Sequence, residues 1–186
     1  MATEIKPLLT LSDLDSMPDD GNRYELIEGE LLVSRAPSLT HQRISRNLLI
    51  IIDAYLEGNP IGEVLATPGV MLGESNGVIP DLVFITIERR DAIASGERLT
   101  GAPDLVIEIL SPGAENAQRD RRAKRQLYGK HGVKEYWVVD PESRVIEIYH
   151  SQSGVLELIR SVSVEGKISS ALLPGFECGA RSVFKI

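Results

Sequence analysis

The chain has 186 residues, 42% hydrophobic and 25% charged, with a formal net charge of -7. These values fit one folded domain over 1–186, speak against general disorder, and argue against tight non-specific nucleic-acid binding by the whole surface. One cysteine, Cys178, excludes an internal disulfide, Leu48–Ile52 is too short an apolar run to span a bilayer, and MATEIKPLLTLSDLDS lacks the pattern of a signal peptide, so a soluble cytoplasmic protein is expected.

Residues 1–20 read as a lead-in, with Ser12 placed to cap a short turn running to Met17. Tyr24–Ile27 and Leu31–Val33 are two strands joined by Glu28-Gly29-Glu30, a hairpin signal. Thr40–Glu57 is a helix, capped by Thr40 or Ser38, with an apolar stripe of Ile44, Leu48, Ile51, Ile52 and Tyr55. His41 lies on that stripe and should point inward. Glu63–Ala66, Gly69–Leu72 and Asp81–Ile87 read as strands, and Glu88–Leu99 as a charged segment without a strong signal.

Gly101–Asp140 is the most informative stretch. Leu105–Leu110 is an apolar strand with Glu108 inside it, and Ser111-Pro112-Gly113 ends it. A charged helix, Asn116–Lys130, carries Asp120, Lys124 and Tyr128 at i, i+4, i+8, and Glu135–Val139 is the next strand. Val145–Tyr149 and Val155–Arg160 form a hairpin around Ser151–Gly154, and short strands near Val162 and Ile168 precede Leu173-Pro174-Gly175-Phe176. The expected architecture is α/β (α+β), one central sheet flanked by helices.

A carboxylate buried in a strand costs several kcal/mol unless it is paired, so Glu108 needs a partner. Asp104 shares its face but lies roughly 13 Å away at strand rise. Asp81 is the better candidate: if its strand runs antiparallel to Leu105–Leu110, the start of one lies beside the end of the other. Lys124 can pack back over the sheet from the following helix. Two acids and a cation suit Mg²⁺-assisted attack of water on a phosphodiester. Two carboxylates so placed repel without metal, so at least one should have a raised pKa. Each residue also has an ordinary reading: Asp81 and Asp104 as turn formers after proline, Lys124 as a solvated partner of Asp120, His41 as a buried hydrogen-bonded side chain, Arg119–Arg125 as a solvated face, and Tyr136 and Trp137 as core.

The ordered set Tyr24–Leu31, His41, Pro80–Val83, Pro103–Pro112, Asp120…Lys124…Tyr128, Gly132–Pro141 and Leu173–Phe176 resembles the Uma-type endonuclease family of the PD-(D/E)XK, or restriction-endonuclease-like, superfamily. The resemblance runs from Tyr24 to Phe184. It implies a restriction-endonuclease-like core, a central mixed β-sheet flanked by α-helices, with an extra N-terminal hairpin and C-terminal strands. It implies that Asp81 and Glu108 hold Mg²⁺ or Mn²⁺. The superfamily lysine falls two residues after the glutamate, where this chain has Leu110; Lys124 stands as its migrated replacement. The first helix offers His41 or Asp53 as a further site residue, with His41 preferred and Glu25 from the hairpin as a second option. The function implied is a Mg²⁺-dependent endonuclease acting on nucleic acid, expected to be DNA. The alternatives are an inactive nuclease-fold binding or assembly module and a hydrolase of a smaller phosphoester. A homodimer is also expected, because symmetric pairs are the commonest oligomers and the strands beyond Val145 add β-surface to cover.

Overall fold

The structure is a computed structural model describing residues 8–111 and 120–185; of Asp120 and Arg121 only the backbone is described. The expected helix start at Asn116, the Pro112-Gly113 break, Arg119 and the first seven lead-in residues lie outside the described residues. The fold is mixed α+β, as the sequence pattern indicated, but among the described residues its strands form two six-stranded sheets and a two-stranded one rather than one central sheet.

The elements follow in chain order. A short helix α1 (Leu11–Asp15) is capped by Thr10, not Ser12, because Thr10 and Asp13 satisfy each other's backbone N–H groups reciprocally. Strands β1 (Arg23–Ile27) and β2 (Glu30–Ser34) form the expected hairpin. Helix α2 (Leu39–Gly58) starts at Ser38, whose Oγ accepts the His41 N–H at 3.2 Å. Next come β3 (Gly62–Ala66), β4 (Val70–Met71), β5 (Gly77–Val78) and β6 (Leu82–Thr86). Ile87 does not continue β6 but begins helix α3 (Ile87–Ile93), and a small hairpin, β7 (Ala94–Ser95) and β8 (Arg98–Leu99), follows where no element was expected. Strand β9 (Leu105–Ile109) leads to a π-helical turn, Asp120–Lys124, that runs into helix α4 (Arg125–Lys130). The chain closes with β10 (Glu135–Asp140), β11 (Val145–Gln152), β12 (Val155–Ser163), β13 (Lys167–Ser169), β14 (Glu177–Gly179) and α5 (Ala180–Val183).

The main sheet has the order β12-β11-β10-β9-β6-β3. Its β9–β10 pair is parallel and its other pairs are antiparallel, so the sheet is mixed. Period-two alternation sorts its side chains. Leu82, Phe84, Leu105, Ile107 and Trp137 pack on one face with Ile44, Leu48 and Ile52 of α2. Burying each of those α2 side chains contributes about 1.5–3 kcal/mol. Val83, Ile85, Val106, Tyr136 and Val138 pack on the other face with Ile27, Val70, Val78, Leu127 and Tyr128. That second layer is the sheet β2-β1-β5-β4-β8-β7 together with α4.

The N-terminal hairpin is therefore part of the body rather than an addition: Leu26 pairs with Gly77, tying β1 to β5. Gly129 lets α4 sit close to the β11–β12 turn, since a Cβ there would lie 2.7 Å from the Gly154 carbonyl oxygen. No described helix is long and apolar enough to cross a membrane.

Candidate active site

Strands β6 and β9 pair antiparallel, with Leu82 opposite Ile107 and Val83 opposite Val106. One step further in that register sets Asp81 opposite Glu108. By alternation both belong to the face covered by the second layer. Asp81 and Glu108 are 3% and 5% exposed, and both line one cavity of about 460 Å³. Glu25, His41 and Lys124 line it too, so all five candidate residues meet there, with Arg23, Arg35 and Ser111 beside them. Asp53, the rejected choice on α2, is exposed.

Each side chain is held by an identifiable element. Glu25 reaches the cavity from β1, and its Oε1 accepts the Ile79 N–H at 2.8 Å and a Lys124 Nζ–H at 3.0 Å. Lys124 ends the π-helical turn, and its Nζ also donates to Glu108 Oε1 at 3.1 Å. A π-helical turn widens the helix by one residue per turn and is common where a side chain must be re-aimed. Tyr128, one turn on, is fully buried and donates its hydroxyl to the same Glu108 oxygen at 2.6 Å. The ordinary reading of Lys124 as a solvated helix residue therefore fails: it is 5% exposed.

Asp81 is clamped from three sides. Its Oδ2 accepts the Ile109 N–H at 2.8 Å and lies 3.0 Å from His41 Nε2. Its Oδ1 lies 3.4 Å from Arg23 Nη1. His41 arrives from the first turn of α2, and its Nδ1 has no hydrogen-bond partner among the described residues. An Nε2–H facing the carboxylate makes that contact a hydrogen bond to Asp81.

The electrostatics differ between the two acids. Burial pushes the Asp81 carboxyl up, but the His41 hydrogen bond and charge, the Ile109 N–H and Lys124 together outweigh burial and hold it below the usual carboxylate value. Glu108 is pushed up to about 8. Burial is the main cause; Lys124 opposes it, the negative charges of Asp81 and Glu25 reinforce it, and the Tyr128 hydrogen bond opposes it weakly. One acid is raised, as expected, but desolvation contributes more than repulsion between the acids. Tyr128 itself is driven well above its ordinary value, first by burial and then by the Glu108 charge.

The donor set fits a small hard cation. The three carboxylates of the site are oxygen donors of the kind such an ion takes, and Mg²⁺ would need only one or two of them beside water and phosphate oxygens. No group of three or more His, Cys, Asp or Glu side chains is already arranged around one point among the described residues. Lys124 instead takes up the space between Glu25 and Glu108.

Two residues were not singled out from sequence. Arg23 sits two positions before Glu25 on β1, so choosing Glu25 already implied it by alternation. Tyr128 was placed on the face of Lys124 but given no role. Asp104 is structural, as read: it is fully buried, bonded to the Thr86 N–H at 2.9 Å and to Lys134 Nζ at 2.7 Å.

A family model named Uma2, with the description "Putative restriction endonuclease", matches residues 11–181. No curated protein matches the sequence. Among solved structures, the crystal structure of a "putative nuclease" from Anabaena variabilis ATCC 29413 superposes with a TM-score of 0.78 at 21% identity, over 95% of this chain and 97% of that one. At that identity the likeness concerns the fold.

Proposed function

Because this chain belongs to the Uma2 family of restriction-endonuclease type, we propose that it is a divalent-metal-dependent endonuclease, with DNA as substrate and Asp81, Glu108 and Lys124 as its catalytic core. The observation that carries the reading is Lys124: its Nζ lies within 3.1 Å of both Glu25 and Glu108, although the superfamily's usual lysine position is Leu110. A lysine buried beside two acids is costly to keep for structure alone. Its presence favours a working site over an inactive binding module.

Asp81 and Glu108 would hold Mg²⁺ or Mn²⁺. Held there, the ion would supply an activated water and charge neutralisation at the phosphate. The chain's own residues do the rest. His41 and the Ile109 N–H fix the Asp81 carboxylate in one orientation. Glu25 anchors Lys124 through Oε1, so the ammonium is preorganised to donate to a phosphoryl oxygen as negative charge develops. Arg23, partly exposed at the cavity wall, is placed to bind a neighbouring phosphate oxygen. We propose two copies per functional unit, with the edge strand β12, which exposes Val155, Leu158 and Ile159, as the surface to be covered.

The test is cleavage of DNA, RNA and small phosphodiesters with Mg²⁺ or Mn²⁺, comparing the wild type with Glu108→Ala. DNA cleavage lost in Glu108→Ala supports the reading. Activity confined to small phosphoesters would replace it with the smaller-substrate alternative.

A further inference from the structure

We propose a second phosphate-binding site, built in part by α2 as the first is, that grips the backbone of the same nucleic-acid strand. The inference rests on the nuclease reading above and extends it to how an acidic protein holds a polyanion.

The site is a cavity of about 700 Å³ whose walls include Ile44, Pro141, Arg144, Arg181, Phe184 and Lys185. Among the described residues no acidic side chain lines it, although the chain as a whole carries a net charge of -7. Its position follows from shared elements. Ile44 lies three residues after His41 on α2, and such pairs stand about 5–6 Å apart on one helix face. Pro141 directly follows β10, and the carbonyl of Val139 on β10 accepts the Leu110 N–H at 2.9 Å, two residues past Glu108. One wall thus shares α2 with His41 of the first cavity, and the other follows β10, the parallel neighbour of the strand that carries Glu108.

The cationic groups are positioned rather than loose. Asn47 Nδ2 donates to the carbonyls of Val183 and Lys185 at 3.0 and 2.8 Å, fixing the C-terminal segment against α2. The Arg144 guanidinium lies over the Phe184 ring, 5.9 Å from its centroid, which holds the fork without using its N–H donors. Arg181 is tied to Glu165, whose carboxylate also feels Arg144, so the three cations against that one acid leave the site net positive, with the exposed Ser182 alongside. Phe184 is 3% exposed and offers no stacking face to a base. The site therefore suits phosphate oxygens and carries no base readout: it positions a strand without specifying sequence.

The experiment is fluorescence anisotropy of a labelled DNA duplex across a range of salt concentrations, with Ca²⁺ replacing Mg²⁺ to prevent turnover. Wild type is compared with Arg144→Gln/Lys185→Gln and with the charge-matched control Arg90→Gln/Arg98→Gln, on α3 and β8. Circular dichroism melts check that each variant is folded. The double variant is expected to bind about tenfold more weakly at moderate salt and to lower the slope of log affinity against log salt by about 2, one per lost phosphate contact. The control should keep the wild-type slope. A folded double variant with the wild-type slope overturns the second site and leaves the nuclease reading standing. Wild type that binds no polynucleotide at low salt overturns the nuclease reading and this site with it.

Discussion

The Lys124 ammonium lies 3.1 Å from the Glu108 carboxyl, sixteen residues earlier in the chain. The superfamily's usual lysine stands on the strand itself, two residues after the acid, where this chain has Leu110. Here the lysine comes from the helix that follows the strand, through a π-helical turn.

Lys124→Ala should lower DNA cleavage by about 10²–10³-fold, the usual loss for one donor aimed at developing charge. Its Mg²⁺ affinity by titration calorimetry should be unchanged or tighter, because a cation has been removed from beside the ligands. Wild-type cleavage in Lys124→Ala would remove the lysine from the mechanism.

Asp81→Asn should lose Mg²⁺ binding and cleavage together while keeping the fold. For wild type, Mg²⁺ at a hundred times its dissociation constant adds about 2.7 kcal/mol by mass action, or about 5–10 °C in Tm for a chain of this size. Differential scanning calorimetry should show that rise in wild type and none in Asp81→Asn. An equal rise in both would place the ion elsewhere.

The metal-free protein should lose stability as pH rises through the neutral range. The Glu108 carboxyl has a folded pKa of about 8 against 4.5 for the ordinary group. Between those values the folded state holds a proton that the unfolded state has released, so unfolding free energy falls with pH. The contribution is fully present below pH 4.5 and is lost by about pH 8. Glu108→Gln keeps the shape without the titration. In EDTA it should be more stable than wild type near pH 8, by a few kcal/mol on the order expected for such a shift, with the gap closing toward pH 4.5. Parallel stability curves for the two proteins over that range would contradict the assignment.

Tyr128→Phe removes a 2.6 Å hydrogen bond to Glu108. A hydrogen bond to a charged group contributes about 1.5–3 kcal/mol, so the variant should be destabilised by that order when Glu108 is ionised. Urea denaturation at pH 9 and pH 5 should show the larger loss at pH 9. A loss equal at both would mean that the ring's packing, not its hydroxyl, is what matters.

Sedimentation velocity at micromolar concentration should show a dimer, and Leu158→Lys on β12 should shift it to monomer. A wild-type monomer throughout that range would end the proposal of a pair.

Much of this protein was legible from the sequence because one-dimensional periodicity reports which side of an element is buried. The α2 stripe, the apolar run Leu105–Leu110 and the acid inside that strand marked the core and its exception. Asp81 and Glu108 were joined by one assumption, an antiparallel register, and the ladder from Leu82–Ile107 onward has it. What the chain order could not carry was contact between short, distant pieces. Strands of two residues, such as Gly77–Val78 and Ala94–Ser95, have too little pattern to be seen, so the second sheet was read as an extra hairpin and a separate strand at Gly69–Leu72. The burial of Lys124 likewise follows from packing. A lysine on a charged helix looks solvated until β1, which carries Glu25, and β9, which carries Glu108, close over it. Local sequence determined the elements and the chemistry available on each. The tertiary structure alone decided which charges share a space, because that depends on desolvation by layers far apart along the chain.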